Sequence, residues 1–328
     1  KPNGVSNSQV QSDNRALRIG FLVWLCMHNG VHTLLIRYSR ARDVDVMYLP
    51  TVAVFLTEIV KMVICIAIEV YNGGLTNFCF SLRSHTIANP WDTLKVCIPA
   101  MVYVVQNNLF YAAATHLEAA TFMILSQLKI FTTAVFSIFL LGKSVSGTQW
   151  AALFILFVGV SLVQIDSSSA SKISETENPL IGFVCILSAC MLSGFAGVYF
   201  EKILKGSVSL WMRNIQLALF AIPSSFATIY IQDGSRVAEH GILYGFDAVV
   251  WSVVFWFGIG GLSMGACIKY ADTISKNFAT AVSIILSTIG SIFLFSFYPS
   301  FIFVIGAILT IFSVFMYSSS DKFSKYLR

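Results

Sequence analysis

The stretch VMYLPTVAVFLTEIVKMVICIAIEVY, residues 46–71, decides the fold class. It is apolar for longer than the roughly 20 residues a helix needs to cross a bilayer, yet it carries Glu58, Lys61 and Glu69. A charge at that depth costs about 2.5–3.5 kcal/mol on insertion scales, so such groups usually face a water-filled interior and handle a solute. Glu58 and Lys61 are spaced i, i+3, which sets both on one helix face where they can pair. Partners lower each other's insertion cost, so the pair reads either as a structural tie or as a charged cavity wall. A second apolar run, 119–141, holds Gln127 and Lys129, with no acidic residue near Lys129 on the same helix. A cation there asks for an anionic ligand or for a partner from another helix. A phosphate would serve.

Working outward, the whole chain has the composition of a membrane protein. It is 56% hydrophobic and 11% charged with a mean hydropathy of +0.77, against roughly 25% charged residues in soluble domains. Apolar runs of spanning length fall near 17–36, 46–71, 94–115, 119–141, 147–165, 180–201, 210–231, 246–268, 277–297 and 299–317. The expected class is therefore an all-α polytopic membrane protein of ten transmembrane helices. Residues 1–16 are expected to form a polar, disordered tail, 17–318 the helical domain, and 319–328 a short basic tail. The run at 17–36 is too long for a signal-peptide core and has no small-residue cleavage site behind it.

An even number of spans puts both termini on one side. With the N-terminus cytosolic, that face collects fourteen Lys and Arg residues against five on the other, so both termini are expected in the cytosol. Arg37, Arg40 and Arg42 oppose the rule, with Asp43 and Asp45 following them. Sliding the chain by 154 positions lays Phe136 to Leu140 on Gly290 to Leu294 and Glu118 on Asp272. Five spans per half is an odd number, so a duplicated half inserts upside down. This gives two inverted five-helix repeats, about 17–165 and 180–318, with the site near mid-membrane between them.

Other polar residues mark the helices that can line such a site. Tyr103, Gln106, Asn107 and Asn108 supply donors and acceptors on the third span, or else tie helices together. Arg213, Asn214 and Gln216 group on the seventh. Lys269, Tyr270, Lys276 and Asn277 flank the ninth, where Lys276 at a helix N-terminus fits an anion, or where solvated loop cations suffice. His28 and His32, spaced i, i+4, have no carboxylate or thiol at metal-ligand spacing, so packing or cavity lining is expected. Gly194, Gly197, Gly258, Gly261 and Gly265 read as close helix contacts or hinges. The net charge of +5 comes from scattered residues, which excludes a nucleic-acid stripe. Seven cysteines show no zinc spacing and read as membrane packing. No phosphate-cradling Walker loop, Gly-x-Ser-x-Gly or His-Glu-x-x-His pattern occurs, so no catalytic residue, cofactor or metal is expected. Without an energy-coupling domain, transport would run on exchange against a second solute.

Several blocks in order then resemble one family. Gln106-Asn107-Asn108, Gln127-Leu128-Lys129-Ile130, the stretch from Gly194 through Gly197 to Lys202, Arg213-Asn214-Ile215-Gln216, and Lys269 through Lys276 together resemble the Golgi nucleotide-sugar transporters, as does Glu58-x-x-Lys61. The resemblance runs from the first span to the tenth. It implies the ten-helix drug/metabolite-transporter fold, and exchange of a cytosolic nucleotide sugar for a lumenal nucleoside monophosphate. The implied site comprises Glu58, Lys61, Tyr103, Gln106, Asn107, Phe122, Gln127, Lys129, Gly197, Asn214 and Lys276. Lys129 and Lys276 would neutralise phosphate. Tyr103, Gln106, Asn107 and Asn214 would read base and ribose, while Glu58 and Lys61 would face the sugar or gate the site.

Phe122, Ala218 and Phe220 depart from the Tyr, Tyr and Ser expected in the CMP-sialic-acid branch. The expected cargo is therefore UDP-galactose or UDP-N-acetylglucosamine against UMP, with CMP-sialic acid against CMP, or a small lipophilic solute, as alternatives. The expected partners are the nucleotide sugar, the nucleoside monophosphate and membrane lipid, with a homodimer left open. The expected location is the Golgi membrane, with the endoplasmic reticulum as the other compartment.

Overall fold

In hydrocarbon every backbone N–H and C=O has to be bonded within the protein, which leaves helices or closed barrels as spanning structures. The computed structural model describes residues 7–169, 178–204, 208–270 and 273–326, with the side chains at 7–19, 21–22, 164, 166–169, 201, 204, 264–281, 318 and 320–326 excepted. Among the described residues every regular element is helical, without strand. Helices α1 (Asn7–Ala41), α2 (Pro50–Leu82), α3 (Pro90–His116), α4 (Ala119–Leu125), α5 (Leu128–Leu141) and α6 (Gly147–Ser169) form the first half. Helices α7 (Pro179–Leu204), α8 (Leu210–His240), α9 (Ala248–Tyr270), α10 (Thr273–Phe295) and α11 (Phe301–Tyr326) form the second. Among the residues whose side chains are described, five segments are long and apolar enough to cross a membrane, α4 and α5 counting as one of them, and α6, α9, α10 and α11 each contribute a further apolar stretch.

Local chemistry sets the ends. Proline opens α2, α3 and α7, where its missing N–H and fixed φ suit the first helical turn. Ser146 and Gln149 bond each other's backbone N–H at 3.2 and 2.8 Å, a capping box at the start of α6. Gly142 closes α5 in the left-handed region, φ 62°, which favours glycine.

Each apolar run named above lies mainly on helix, but several boundaries differ. α1 begins at Asn7 and α11 continues to Tyr326, so much of both expected tails is helical. Polar residues end a hydropathy run without ending a helix, since Gln, Ser and Lys are tolerated in helices. The second run extends to Leu82 through a break at Gly74, φ 75°. The fourth run is not one helix: it breaks at Ser126 and Gln127, between α4 and α5.

Packing is inside out relative to a soluble domain. Phe139 (79% exposed) and Phe293 (83%) face outward, while Gln127 and Gln216 (0%), Glu58 (2%) and Arg213 (3%) are buried. α6 packs on α11, α2 on α8 and α4 on α10; α3 packs on α7 as α1 does on α9, α5 on α7 as α1 does on α10, and α3 on α8 as α2 does on α9. At the α6–α11 crossing Gly159 and Gly306 face one another, and a Cβ on either would stand 2.7–2.8 Å from the other's carbonyl oxygen. Small residues let two backbones approach this closely.

Candidate functional site

The break between α4 and α5 builds the centre of the molecule. Around it the backbone tightens to i→i−3 bonds, Gln127 N to Ile124 O at 3.0 Å and Ile130 N to Gln127 O at 2.8 Å. The displaced Met123 carbonyl accepts from Ser126 Oγ at 2.7 Å and Gln127 Nε2 at 2.8 Å. Cys190 Sγ of α7 approaches the Ser126 carbonyl at 3.6 Å. Gln127 thus braces its own turn, and its Oε1 is buried with no hydrogen-bond partner among the described residues. Lys129 follows at the first turn of α5 and is half-buried.

Glu58 and Lys61 do pair, at 2.7 Å, with side chains 2% and 21% exposed. The Lys61 stem lies against Gly261 of α9, where a Cβ would come within 3.3 Å of its Cδ, and Gly258 abuts Val60 at 3.0 Å. One turn of α9 therefore forms a common wall. Gly260 receives the His28 ring of α1, leaving no room for a Cβ. Phe257 stacks on Tyr111 of α3 at 5.3 Å and lies 3.9 Å from the His32 ring centre. Phe122 of α4 meets Phe110 of α3 edge-on at 5.8 Å, and Thr33 of α1 reaches Met123 Sδ at 3.3 Å.

Among the remaining expected residues, Gln106 is buried with Oε1 unbonded among the described residues, and Tyr103 and Asn107 are half-buried on the same helix. Asn214 is spent on its own helix, donating to the Leu210 carbonyl at 2.9 Å. Gly197 is not a close helix contact: nothing lies within 4 Å of a Cβ built there, whereas Gly194 meets Thr132 backbone at 2.8 Å. The difference is one of facing, since residues three apart on a helix need not oppose the same neighbour. The side chains of Lys269 and Lys276, and Gly265, lie outside the described residues.

Sequence reasoning missed the bonds at the two ends of the bundle. At one end Arg37, 4% exposed, donates to the Ala114 and Thr115 carbonyls at 3.2 and 3.0 Å, satisfying the C-terminus of α3. Arg40 donates to Thr115 Oγ1 at 2.9 Å and the Tyr48 carbonyl at 3.1 Å, and lies over the Tyr48 ring. Arg42 forms a bidentate pair with Asp247, Nη2 to Oδ1 at 3.0 Å. That pairing is the main reason the Asp247 carboxyl is held below its usual range. Asp247 also caps α9, accepting from Val250 N at 3.0 Å. Thr51 bonds Asp233 at 2.7 Å, tying α2 to α8. The signal was the arginine cluster's conflict with the charge rule.

At the opposite end Arg213, expected as part of a polar group on the seventh span, is buried. It bonds Asp92 at 2.6 Å and Gln216 Oε1 at 2.9 Å. Gln216 donates to the His85 carbonyl at 2.8 Å, and Ser209 to Glu69.

Apolar surface outside and charged and amide groups enclosed within define a polytopic helical membrane protein, and comparison with known proteins narrows the class. The nucleotide-sugar transporter family model matches residues 13–318. The chain is 61% identical to the "UDP-galactose/UDP-N-acetylglucosamine transporter srf-3" of Caenorhabditis elegans over 93% of this chain and 83% of that protein. It is 42% identical to the "UDP-N-acetylglucosamine transporter" of Mus musculus, covering 95% and 98%. To the "UDP-galactose translocator" of the same organism it is 40% identical, covering 93% and 79%. A solved structure 16% identical, covering 91% of this chain and 98% of that one, superposes with a TM-score of 0.56 and shares the fold. The chain belongs to the nucleotide-sugar transporter family; it is a membrane transporter and not an enzyme.

Proposed function

We propose that the chain exchanges a UDP-sugar, UDP-galactose or UDP-N-acetylglucosamine, for UMP across the Golgi membrane by alternating access, with both termini cytosolic. The observation that carries this reading is the 61% identity, along nearly the whole chain, to a protein named for both UDP-sugars. The lack of an energy-coupling motif favours exchange over pumping.

Two inverted five-helix repeats in a ten-span fold are supported by the packing. The α6–α11, α2–α8 and α4–α10 pairs each map onto themselves when the halves are swapped. α3–α7 maps to α1–α9, α5–α7 to α1–α10, and α3–α8 to α2–α9. A discontinuous helix next to Lys129 suits an anion site at the repeat interface. Lys129 and Lys276 then take phosphate charge; Tyr103, Gln106, Asn107 and Asn214 read base and ribose; Phe122 and Gln127 shape the wall. Gly197 leaves room for the nucleotide, and Glu58 with Lys61 meets the sugar or couples its arrival to α9. The end at which Arg37, Arg40 and Arg42 tie α1 to α3 and α9 is the lumenal one in this orientation.

The test is uptake of labelled UDP-N-acetylglucosamine into liposomes holding the purified protein, empty or preloaded with UMP. Unlabelled UDP-galactose, CMP-sialic acid and GDP-mannose serve as competitors. UMP-stimulated uptake blocked by UDP-sugars alone is expected. Stimulation by CMP, or none by any nucleotide, refutes the assignment.

A further inference from the structure

His32 is a polar side chain at mid-bundle to which neither the family motifs nor the packing assigns a task. It lies one helical turn beyond His28 on the same face of α1. His28 is fully used: its Nε2 bonds the Trp256 carbonyl at 3.1 Å, and its ring stacks on Trp256 at 5.2 Å with 2° between the planes. His32 is not. Its Nδ1 is enclosed with no hydrogen-bond partner among the described residues, while its ring leans on Phe257 at 3.9 Å. A buried polar atom left unbonded costs about 1–3 kcal/mol. A polar ring kept there at that cost is expected to bond something during the transport cycle.

The neighbours select what that is. The next residue, Thr33, reaches Met123 Sδ at 3.3 Å, which sets this turn of α1 beside the α4–α5 break that Lys129 follows, and the His28 ring lies 5.7 Å from that of His32. An imidazole N–H and an ammonium both favour an oxygen anion between them, and neither gains from a cation or an apolar group. The residue is only half-buried, and a half-turn about χ2 exchanges the Nδ1 edge for the Cδ2 edge. Phe257 on one side and His28 on the other limit the ring's remaining freedom, so little ordering is lost when a ligand arrives.

Resting on the nucleotide-sugar reading, we infer that His32 is a further substrate-binding residue, donating from a ring nitrogen to a phosphate oxygen of the nucleotide that Lys129 also holds. The experiment measures binding of UMP and of uridine to the purified full chain carrying H32L, H32Q, K129M or H32L with K129M. Melting temperature without ligand is recorded for each. H32L is expected to weaken UMP about tenfold, with H32Q recovering most of the loss. Uridine, which has no phosphate, is expected to bind all variants alike. In the K129M background the H32L effect is expected to shrink below about threefold, because groups sharing one partner are not additive. H32F, which keeps the contact with Phe257 but removes both nitrogens, takes the place of H32L if the latter does not fold. UMP binding unchanged in H32L, or uridine weakened as much as UMP, overturns the assignment. A wild type that binds no uridine nucleotide overturns the underlying functional reading, and so fails in a different place.

Discussion

Removing the Glu58 carboxylate leaves the Lys61 ammonium facing the interior without the partner that now sits 2.7 Å away. Breaking a fully buried pair by deleting one member costs about 3–5 kcal/mol, because the surviving charge has lost its compensation. Glu58 is 2% exposed but Lys61 is 21% exposed, so solvent screens part of that cost and about 2–3 kcal/mol is the expected loss for Glu58→Leu. At about 2–4 °C per kcal/mol this lowers the melting temperature of the purified protein by about 5–10 °C. Replacing both residues, E58L with K61M, removes the uncompensated charge and returns stability to within about 1 kcal/mol of wild type. Exchange answers a separate question, since a pair that only tied the fold together would leave the double variant active. The expected result is a stable double variant with UMP-stimulated uptake reduced at least tenfold. Equal melting temperatures for E58L and wild type would refute the energetic reasoning, and full exchange by the double variant would refute the functional role.

Other perturbations follow from individual contacts. Because Arg42 holds the folded-state pKa of Asp247 below the usual carboxylate value, the pair's contribution is complete above that value and is lost only as pH falls through the depressed one. Exchange measured from pH 7.5 to 5.5 is therefore expected to show no change traceable to this pair, and a wild-type decline in that window that R42Q abolishes would contradict it. Gly260→Val places side-chain atoms inside the His28 ring and is expected to prevent folding, scored as loss of the monodisperse peak in detergent. Gly197→Ala meets nothing within 4 Å and is expected to keep its melting temperature, so any lost uptake would report on the substrate. Gly159→Leu forces α6 away from α11 and is expected to lower the melting temperature by at least 5 °C, with Gly306→Leu equivalent.

Span positions were readable because hydrocarbon thickness imposes a length and a composition on each helix, and each named run lies mainly on helix. The Glu58–Lys61 pair was readable because i, i+3 spacing fixes the geometry within one helix. What could not be read depended on neighbours distant in the chain. The break at Ser126 and Gln127 contains no proline or glycine; it is held by side chains bonding the Met123 carbonyl and by Cys190 from α7. Hydropathy is blind to such a break, since the run stays apolar across it. The burial of Arg213 was likewise hidden, because its partner Asp92 lies on α3, 121 positions away.

The arginine cluster shows how an exception to one rule can mark another physical role. The positive-inside rule weighs charges that would have to be carried across the bilayer as solvated groups. Arg37, Arg40 and Arg42 end up otherwise: Arg37 caps the carboxyl end of α3, where unbonded carbonyls carry partial negative charge, Arg40 bonds the Thr115 hydroxyl at the same end and the Tyr48 carbonyl, and Arg42 closes on the carboxylate that caps α9. The C-terminal end of α1 and the residue that follows it thereby hold α3 and α9 at one end of the bundle. If that end opens during exchange, these contacts have to break or travel together. The bonds to helix-terminal carbonyls and the exposed pair to Asp247 differ in burial, with Arg37 at 4% exposure and the Asp247 side chain at 47%. The buried bonds therefore suit a joint that moves as one body, and the exposed pair, whose charges water can solvate on separation, suits the surface that parts.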